Sequence, residues 1–500
     1  MDADVDVVIV GAGLSGVGAA CRLQQECPDL SYTVLEARDA IGGTWDLFRY
    51  PGIRSDSDIF TLSYPFRPWS GEKSITDGDS ILRYIEETAH EHGVDRHIRV
   101  RTKVVAADWS SADSLWFLTL AERQPDGTIR ESTTTCRFLY CCAGYYDYDR
   151  AHEPAFAGLD DFAGELVRPQ FWPEDLQYAG KRVVIIGSGA TAVTLAPAMA
   201  ADAAHVTMLQ RSPTWIGAVP ATDKIADLLR AGLPAGLAHR LIRGKNIVRQ
   251  QALYEFCRRW PGLARRLLLG LTTKSLDPEL VDEHFTPVYD PWEQRFCVAP
   301  DADFFRAIRH GRVDVVTDHV DRFVPEGVRL ASGSVLEADV VVMATGLKMM
   351  PLGGIRPSVD GTPVQLHDQF VWQGAMLSGL PNAAMAAGYI NASWTLRADL
   401  TSRLVCKILN EMKRRDAVSV VPIPDHALEP RPLLPLSSGY IQRALGEFPQ
   451  QGDRAPWQIR QNYLLDSLTT LRHDLGKTLR FEGRSDELSR GRRAAAGRGR

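Results

Sequence analysis

The stretch Gly42-Gly43-Thr44-Trp45-Asp46-Leu47-Phe48-Arg49-Tyr50-Pro51-Gly52-Ile53-Arg54-Ser55-Asp56 packs three aromatics, two arginines and two aspartates between glycines and one proline. Ordinary loops are polar and small. A loop with this aromatic and ionic content lies over a cofactor or lines a pocket. A second segment, Pro291-Trp292-Glu293-Gln294-Arg295-Phe296-Cys297, sets a lone arginine among aromatics. Read alone, Arg295 is a surface or domain-interface arginine and Asp56 a turn aspartate. Together with the loop they are candidates for the charges of a reaction centre. Trp45 and Trp394 read equally as core aromatics or as walls of a pocket.

These groups need a cofactor, and two segments are built to hold one. Val5 to Val10 is a buried-strand run, followed by Gly11-Ala12-Gly13-Leu14-Ser15-Gly16 and a helical pattern to Glu26. A second strand, Tyr32 to Leu35, ends on Glu36. That acid stands about 20 residues past the last glycine, where a dinucleotide-binding βαβ unit places its ribose-binding carboxylate. The glycines let the backbone approach a pyrophosphate, and the helix N-terminus offers free N–H groups. Gly43, Thr44 and Trp45 extend this site. The pattern repeats once. Lys181 to Ile186 leads into Gly187-Ser188-Gly189-Ala190-Thr191-Ala192, then a helix to about Ala201 and a strand, His205 to Gln210, ending on Arg211-Ser212. An arginine at that strand end suits a 2′-phosphate, so NADPH is expected there rather than NADH. Two nucleotide units imply two nucleotides, and an NADPH donor with a tightly held FAD acceptor is the common pairing.

The elements that carry these motifs predict an α/β protein with two Rossmann-like dinucleotide-binding domains and a helical insertion. The FAD-binding domain is expected in two parts, 1–145 and 346–480. A linker covers 146–175, and the NADPH-binding domain covers 176–345. Ile81 to His92 reads as a helix, and Ile98 to Arg137 as short antiparallel strands. Phe138 to Cys142 reads as a strand returning to the nucleotide, and Val340 to Met343 as one closing on Ala344-Thr345-Gly346. A helix is expected from Gly388 to about Leu409. The insertion, 220–290, is basic: from Lys224 to Lys274 eleven Lys and Arg face two acids, Asp227 and Glu255. Amphipathic basic helices attract NADPH or a membrane surface, or form the solvated faces of a lid. A basic, disordered tail is expected over 481–500.

A chain of 500 residues with 45% hydrophobic and 24% charged residues is an ordinary globular protein of more than one domain. The net charge of −5 gives no support for a nucleic-acid partner. The eight cysteines form no CxxC and no metal-ligand spacing, which points to buried thiols in a reducing cytoplasm. The start shows no signal peptide, and no apolar run of about 18 residues is present to span a membrane.

Several motifs in order resemble the Baeyer–Villiger monooxygenases, within the class B flavin monooxygenases. Gly43-x-Trp45-(four)-Tyr50-Pro51-Gly52-(three)-Asp56 is similar to one family signature, and Phe162-x-Gly164-(three)-Arg168-(three)-Trp172-Pro173 to a second. With the two glycine motifs and Leu209-Gln210-Arg211-Ser212-Pro213, the resemblance runs from the N-terminus to about residue 470. Arg168 stands where the family has histidine, which bears on how domain motion couples to NADPH positioning.

The resemblance implies that NADPH reduces FAD, that O₂ adds to give a C4a-peroxyflavin, and that one oxygen atom is delivered. Deprotonated, the peroxide attacks a ketone and yields an ester or lactone. Protonated, it oxidises sulfur or nitrogen. The family's matching arginine implies that Arg295 holds the peroxide anionic, and its aspartate that Asp56 holds Arg295. At about 4 Å and an effective dielectric near 20, a guanidinium favours the anion by about 4 kcal/mol. Arginine suits the task because lysine loses its proton in an apolar pocket. The alternatives are an N- or S-oxygenase without ketone activity, a disulfide reductase, which would need a redox cysteine pair, and a membrane-associated or regulatory flavoprotein without turnover.

Overall fold

The computed structural model describes residues 2–483. Its largest sheet is mixed. Val5–Val10 lies at its centre, parallel to Tyr32–Leu35 on one side and to Ile129–Cys141 on the other. Antiparallel partners Leu115–Arg123 and Thr102–Ser110 extend it outward, and Arg356–Val359 adds beyond them. Ala383–Met385 pairs with the last turn of Ile129–Cys141, so the chain does return to the first sheet after the second. The second sheet is wholly parallel, in the order Val313–Thr317, His205–Gln210, Arg182–Ile186, Val340–Met343, Glu165–Val167. The two sheets share no strand.

The sequence explains the parallel centres. Val7, Val8, Ile9 and Val183 to Ile185 are continuous apolar runs with almost no exposure, as strands covered on both faces require. Helix Leu14–Glu26 covers the first sheet and packs against helix Trp394–Arg415. The contact buries Val17, Ala20, Leu404, Val405 and Ile408, and Arg22–Asp399 pairs across it at 2.7 Å.

The described residues depart from the sequence reading at three places. Glu165–Val167, inside the expected linker 146–175, is the edge strand of the second sheet. The helix expected from Gly388 begins at Trp394 and continues to Arg415. Residues 388–393 stay irregular because the bare Gly388 leaves its space to the Trp394 ring. The chain is also ordered further than expected. Leu479–Gly483 is a strand antiparallel to Ala417–Pro422, so the first residues assigned to a disordered tail belong to the fold. The rest of that expected tail, 484–500, lies outside the described residues.

The basic insertion forms helices Lys224–Gly232, Ala235–Arg259, Pro261–Thr272 and Pro278–His284. The long helix is strapped to the unit of the first sheet. Buried Arg243 donates to the carbonyls of Phe60 and Ser63 at 2.9 and 2.8 Å. Asn246 and Gln250 donate to the carboxylate of buried Asp58. Arg230 caps the carbonyls of Gly71 and Trp69 at 2.8 and 3.0 Å. Part of the insertion's positive charge is therefore spent on buried backbone carbonyls, which need such partners.

Candidate functional site

The first glycine turn is a cradle for a phosphate backbone. Gly11 has a φ of +98°, and a Cβ there would lie 2.8 Å from the Cys142 carbonyl oxygen. A Cβ on Gly16 would overlap the Gly11 carbonyl, so Gly16 lets the helix start this close but does not itself face the cavity. Helix Leu14–Glu26 has Gly13 as N-cap, with no side chain capping it and no acid in its first turn. Its free N–H groups and positive dipole end are thus left for an anion. Ser15 lines the same cavity. Glu36 is buried at the next strand end, accepting from the Ala12 and Arg38 amides at 2.7 and 2.9 Å. Burial raises its pKa, and those two amides oppose the rise. The Gly42 amide donates to the Ala12 carbonyl at 3.0 Å, which folds the loop back onto the turn. Thr44 then meets Tyr148 at 2.9 Å.

The second turn has the same construction. Helix Ala190–Met199 has Gly189 as an N-cap without side-chain capping. Gly187, at φ +140°, packs where a Cβ would overlap the Ala344 carbonyl. Ser188 donates to the Ser212 carbonyl at 3.2 Å, tying the turn to the strand end that carries Arg211. Gly187, Ser188, Gly189, Thr191, Arg211 and Ser212 face the cavity. Ala192 does not: it is fully buried under the second sheet, so its place in the motif serves packing.

Both turns open into one cavity of about 1340 Å³. That exceeds the roughly 300–1,000 Å³ of an ordinary small-molecule pocket and suits more than one large ligand. Gly43, Thr44, Trp45, Asp56 and Arg295 all line it. Trp45 also packs on the core, so it is both wall and core aromatic. Trp394 joins the two parts of the first nucleotide unit, donating from Nε1 to Ser15 Oγ at 2.7 Å.

Among the described residues the charges of the loop are paired except for Asp56, and Arg295 across the cavity is unpaired likewise. Asp46 is held by Arg38 and Arg49 at 2.6 and 2.7 Å. Arg54 pairs with Asp303 of the second unit at 2.5 Å. Asp56 and Arg295 make no ion pair within 4 Å, either with each other or with another described residue. They face the same space and feel each other's charge. The direct clasp that the family role implies is therefore absent. Arg295 instead donates to the Tyr145 hydroxyl at 3.0 Å, while its buried Nε has no partner. Tyr145, Tyr440, Tyr146 and Asp56 surround the guanidinium, which stays charged despite its burial. Burial raises the Asp56 carboxyl, and Arg295 and then Arg54 pull it back.

Sequence reasoning missed the contacts that close the seam. Gly52, at φ +75°, rests on helix Ala190–Met199, where a Cβ would meet Ala198 Cβ at 2.7 Å. Tyr50 is pushed up to about 12 by burial, and Thr191 of the second glycine turn hydrogen-bonds it. The Tyr-Pro-Gly corner was visible; the partner helix, well over 100 residues away, was not. Arg168 lies outside the cavity, exposed, and pairs with Glu153 at 2.8 Å. It touches neither glycine turn.

The chain matches the model of flavin-binding monooxygenase-like proteins over residues 64–228 and that of NAD(P)-binding Rossmann-like domains over residues 9–73. It is 51% identical over 471 residues to the FAD-containing monooxygenase EthA of Mycobacterium tuberculosis (strain ATCC 25618 / H37Rv), covering 93% of this chain and 95% of the relative. It is 43% identical over 495 residues to a probable FAD-binding monooxygenase, AlmA, of Acinetobacter baylyi, covering 98% of each. Among solved structures, an oxidised steroid monooxygenase bound to NADP shares the fold, with a TM-score of 0.73 and 20% identity over 96% of this chain and 99% of that one.

The raised Asp56 carboxyl makes a pH prediction. An activity that needs Asp56 ionised rises with pH as the group deprotonates, above the usual carboxylate range. In a pH profile of kcat/KM, Asp56→Asn is expected to lower activity about tenfold or more and to remove that acid limb. An unchanged limb in the variant would assign it to another group.

Proposed function

Because the chain belongs to the FAD-containing, flavin-binding monooxygenases, we propose that it is an NADPH- and O₂-dependent enzyme of Baeyer–Villiger type. It inserts one oxygen atom into ketones to give esters or lactones, and it also oxidises thioether sulfur. The observation that supports this most is the placement of Arg295, a permanent cation without an ion-pair partner among the described residues, on the cavity shared by both glycine turns.

The residues fit the two nucleotides. The turn Gly11 to Gly16, with Glu36 and the loop from Gly43, would hold FAD; the turn Gly187 to Thr191, with Arg211 and Ser212, would hold NADPH. Bound FAD supplies the ring that accepts hydride and activates oxygen. The chain's own groups then decide how oxygen is delivered. Trp45, Tyr50 and Trp394 wall the cavity and limit water. Arg295 favours the anionic, nucleophilic form of the transferred oxygen over the protonated, electrophilic form. Tyr145 fixes one edge of the guanidinium and Tyr440 contacts it as well, and the donors they leave are available to that oxygen. Asp56 keeps a compensating charge in reach without consuming those donors.

The exposed face of the insertion supports peripheral contact with a membrane. Leu263, Leu267 and Leu271 repeat at a spacing of four on helix Pro261–Thr272 and are each more than half exposed, with Trp260 beside them. Arg258, Arg259, Arg266 and Lys274 stand within a few positions of these residues in the sequence, Arg259 over the Trp260 ring. Such a face lies in a bilayer interface with its cations toward anionic headgroups. No helix among the described residues is long and apolar enough to cross a membrane.

With purified enzyme, NADPH and oxygen, product analysis by mass spectrometry over ketones and thioethers is expected to give esters or lactones and sulfoxides. Arg295→Ala is expected to lower ester formation by about a hundredfold or more while NADPH is still oxidised. Sulfoxides without any ester from the wild type would identify an S-oxygenase; undiminished esters from the variant would remove Arg295 from the chemistry. In the second test, the protein is expected to sediment with phosphatidylserine-containing vesicles and to be released by salt. Absence of any vesicle binding would contradict the membrane reading.

A further inference from the structure

The segment from Ser437 to Arg443 belongs to the flavin side by sequence order but reaches over the cavity. Ser437 donates to the Glu293 carbonyl from both its amide and its hydroxyl, at 2.8 and 3.1 Å. Glu293 stands two positions before Arg295, so this strap and the Arg295 segment are fastened together. The short turn Gly439–Gln442 then presents Tyr440 to Arg295. Arg443 follows at its end and points into the cavity near Gly346, where a Cβ would lie 3.5 Å from its Nη2.

Arg211 lines the same cavity from the end of strand His205–Gln210. The two arginines come from different sheets' sides and meet at the second glycine turn: Arg443 reaches Gly346, next in sequence but one to the Ala344 that packs on Gly187, and Ser188 ties the turn to Ser212 beside Arg211. Burial first, and the charge of Arg211 second, lower the pKa of the Arg443 guanidinium. Among the described residues neither makes an ion pair. In this structure many surface arginines are paired with carboxylates, Arg38, Arg67 and Arg182 among them. Two guanidinium groups brought to one space, neither within ion-pair distance of a carboxylate among the described residues, repel, and an anion between them relieves the repulsion. The anion must be polyvalent and planar-fork compatible, which describes a phosphate. The glycine turn already provides for the pyrophosphate, so the phosphate left over is the one beside Arg211.

We propose that Arg443 is the second cation of the 2′-phosphate site, contributed by the flavin-side strap, and that it sets the preference for NADPH over NADH together with Arg211. This rests on the reading of Arg211 given above. It makes nucleotide choice a property of the seam: the phosphate is gripped from both sides, by a residue of the second sheet and by the strap that also carries Tyr440.

The test uses the FAD-loaded enzyme and compares kcat/KM for NADPH with that for NADH on the same preparation. The ratio is insensitive to partial misfolding. Arg443→Ala is expected to lower it by about tenfold or more, and Arg443→Lys to retain part of it. Binding of 2′,5′-ADP, a fragment carrying the phosphate in question, should weaken in step, while 5′-AMP should not. If Arg211→Ala lowers the ratio and Arg443→Ala does not, Arg443 is outside the site and the proposal is overturned while the reading of Arg211 stands. If neither changes the ratio, the 2′-phosphate site is elsewhere and both fall.

Discussion

The candidate site residues of this protein lie on loops carried by two units whose main sheets share no strand, so the site they would form depends on how the seam between the units is held. One ion pair spans that seam at the loop itself. Arg54 and Asp303 meet at 2.5 Å with 13% and 23% of their side chains exposed. Removing one partner of a pair this sheltered leaves the other desolvated without compensation, a cost of several kcal/mol in fully buried cases (roughly 3–5) and less here. Gly52 against Ala198 keeps the same approach close, and the Ala221 carbonyl accepts from the amides of Ser74 and Ile75. Each is a weak clasp alone. Together they set Asp56, on one side, and Arg295, on the other, around a common space.

That space gains its chemistry from what is left unpaired. Asp46 and Arg54 are satisfied by neighbours, and they shape the loop. Asp56 and Arg295 are held apart, and the carboxyl is raised by burial. A half-buried carboxylate without an ion-pair partner is held above its usual range, and groups kept in that condition inside a cavity cluster at functional sites. The cation is steadied by Tyr145 on a neutral hydroxyl, which fixes position without cancelling charge. A full salt bridge with Asp56 would have held Arg295 more firmly and left it less field to offer an anion.

Much of this was legible in the chain. Glycine turns are short-range features: Gly11, Gly13, Gly187 and Gly189 are dictated by backbone geometry within a few residues, and the strand–turn–helix–acid register identifies them. Within those motifs the sequence did not separate the residues that face the ligand from Gly16 and Ala192, which serve packing, because the distinction depends on what lies behind the turn. Arg295 and Asp56 were named by resemblance and do share the cavity. Their separation was not foreseeable, since Tyr145 and Tyr440 are brought to Arg295 by tertiary structure alone. The same holds for Arg54, whose partner is 249 positions away, and for Arg243, whose acceptors are backbone carbonyls without a sequence signature. The sequence assigns 346–480 to the second part of the FAD-binding domain, but nothing in it shows that Ser437 to Arg443 forms a strap over the cavity.

The central claim is that the two halves form one oxygen-transferring site only when the seam is closed. A double-mutant cycle on Arg54 and Asp303 tests it most directly, read as moles of oxygenated product per mole of NADPH consumed. Arg54→Ala and Asp303→Ala are each expected to lower that yield severalfold, and the double variant to be no worse than the poorer single one. Strictly additive effects, or a yield unaffected by either change, would contradict the account.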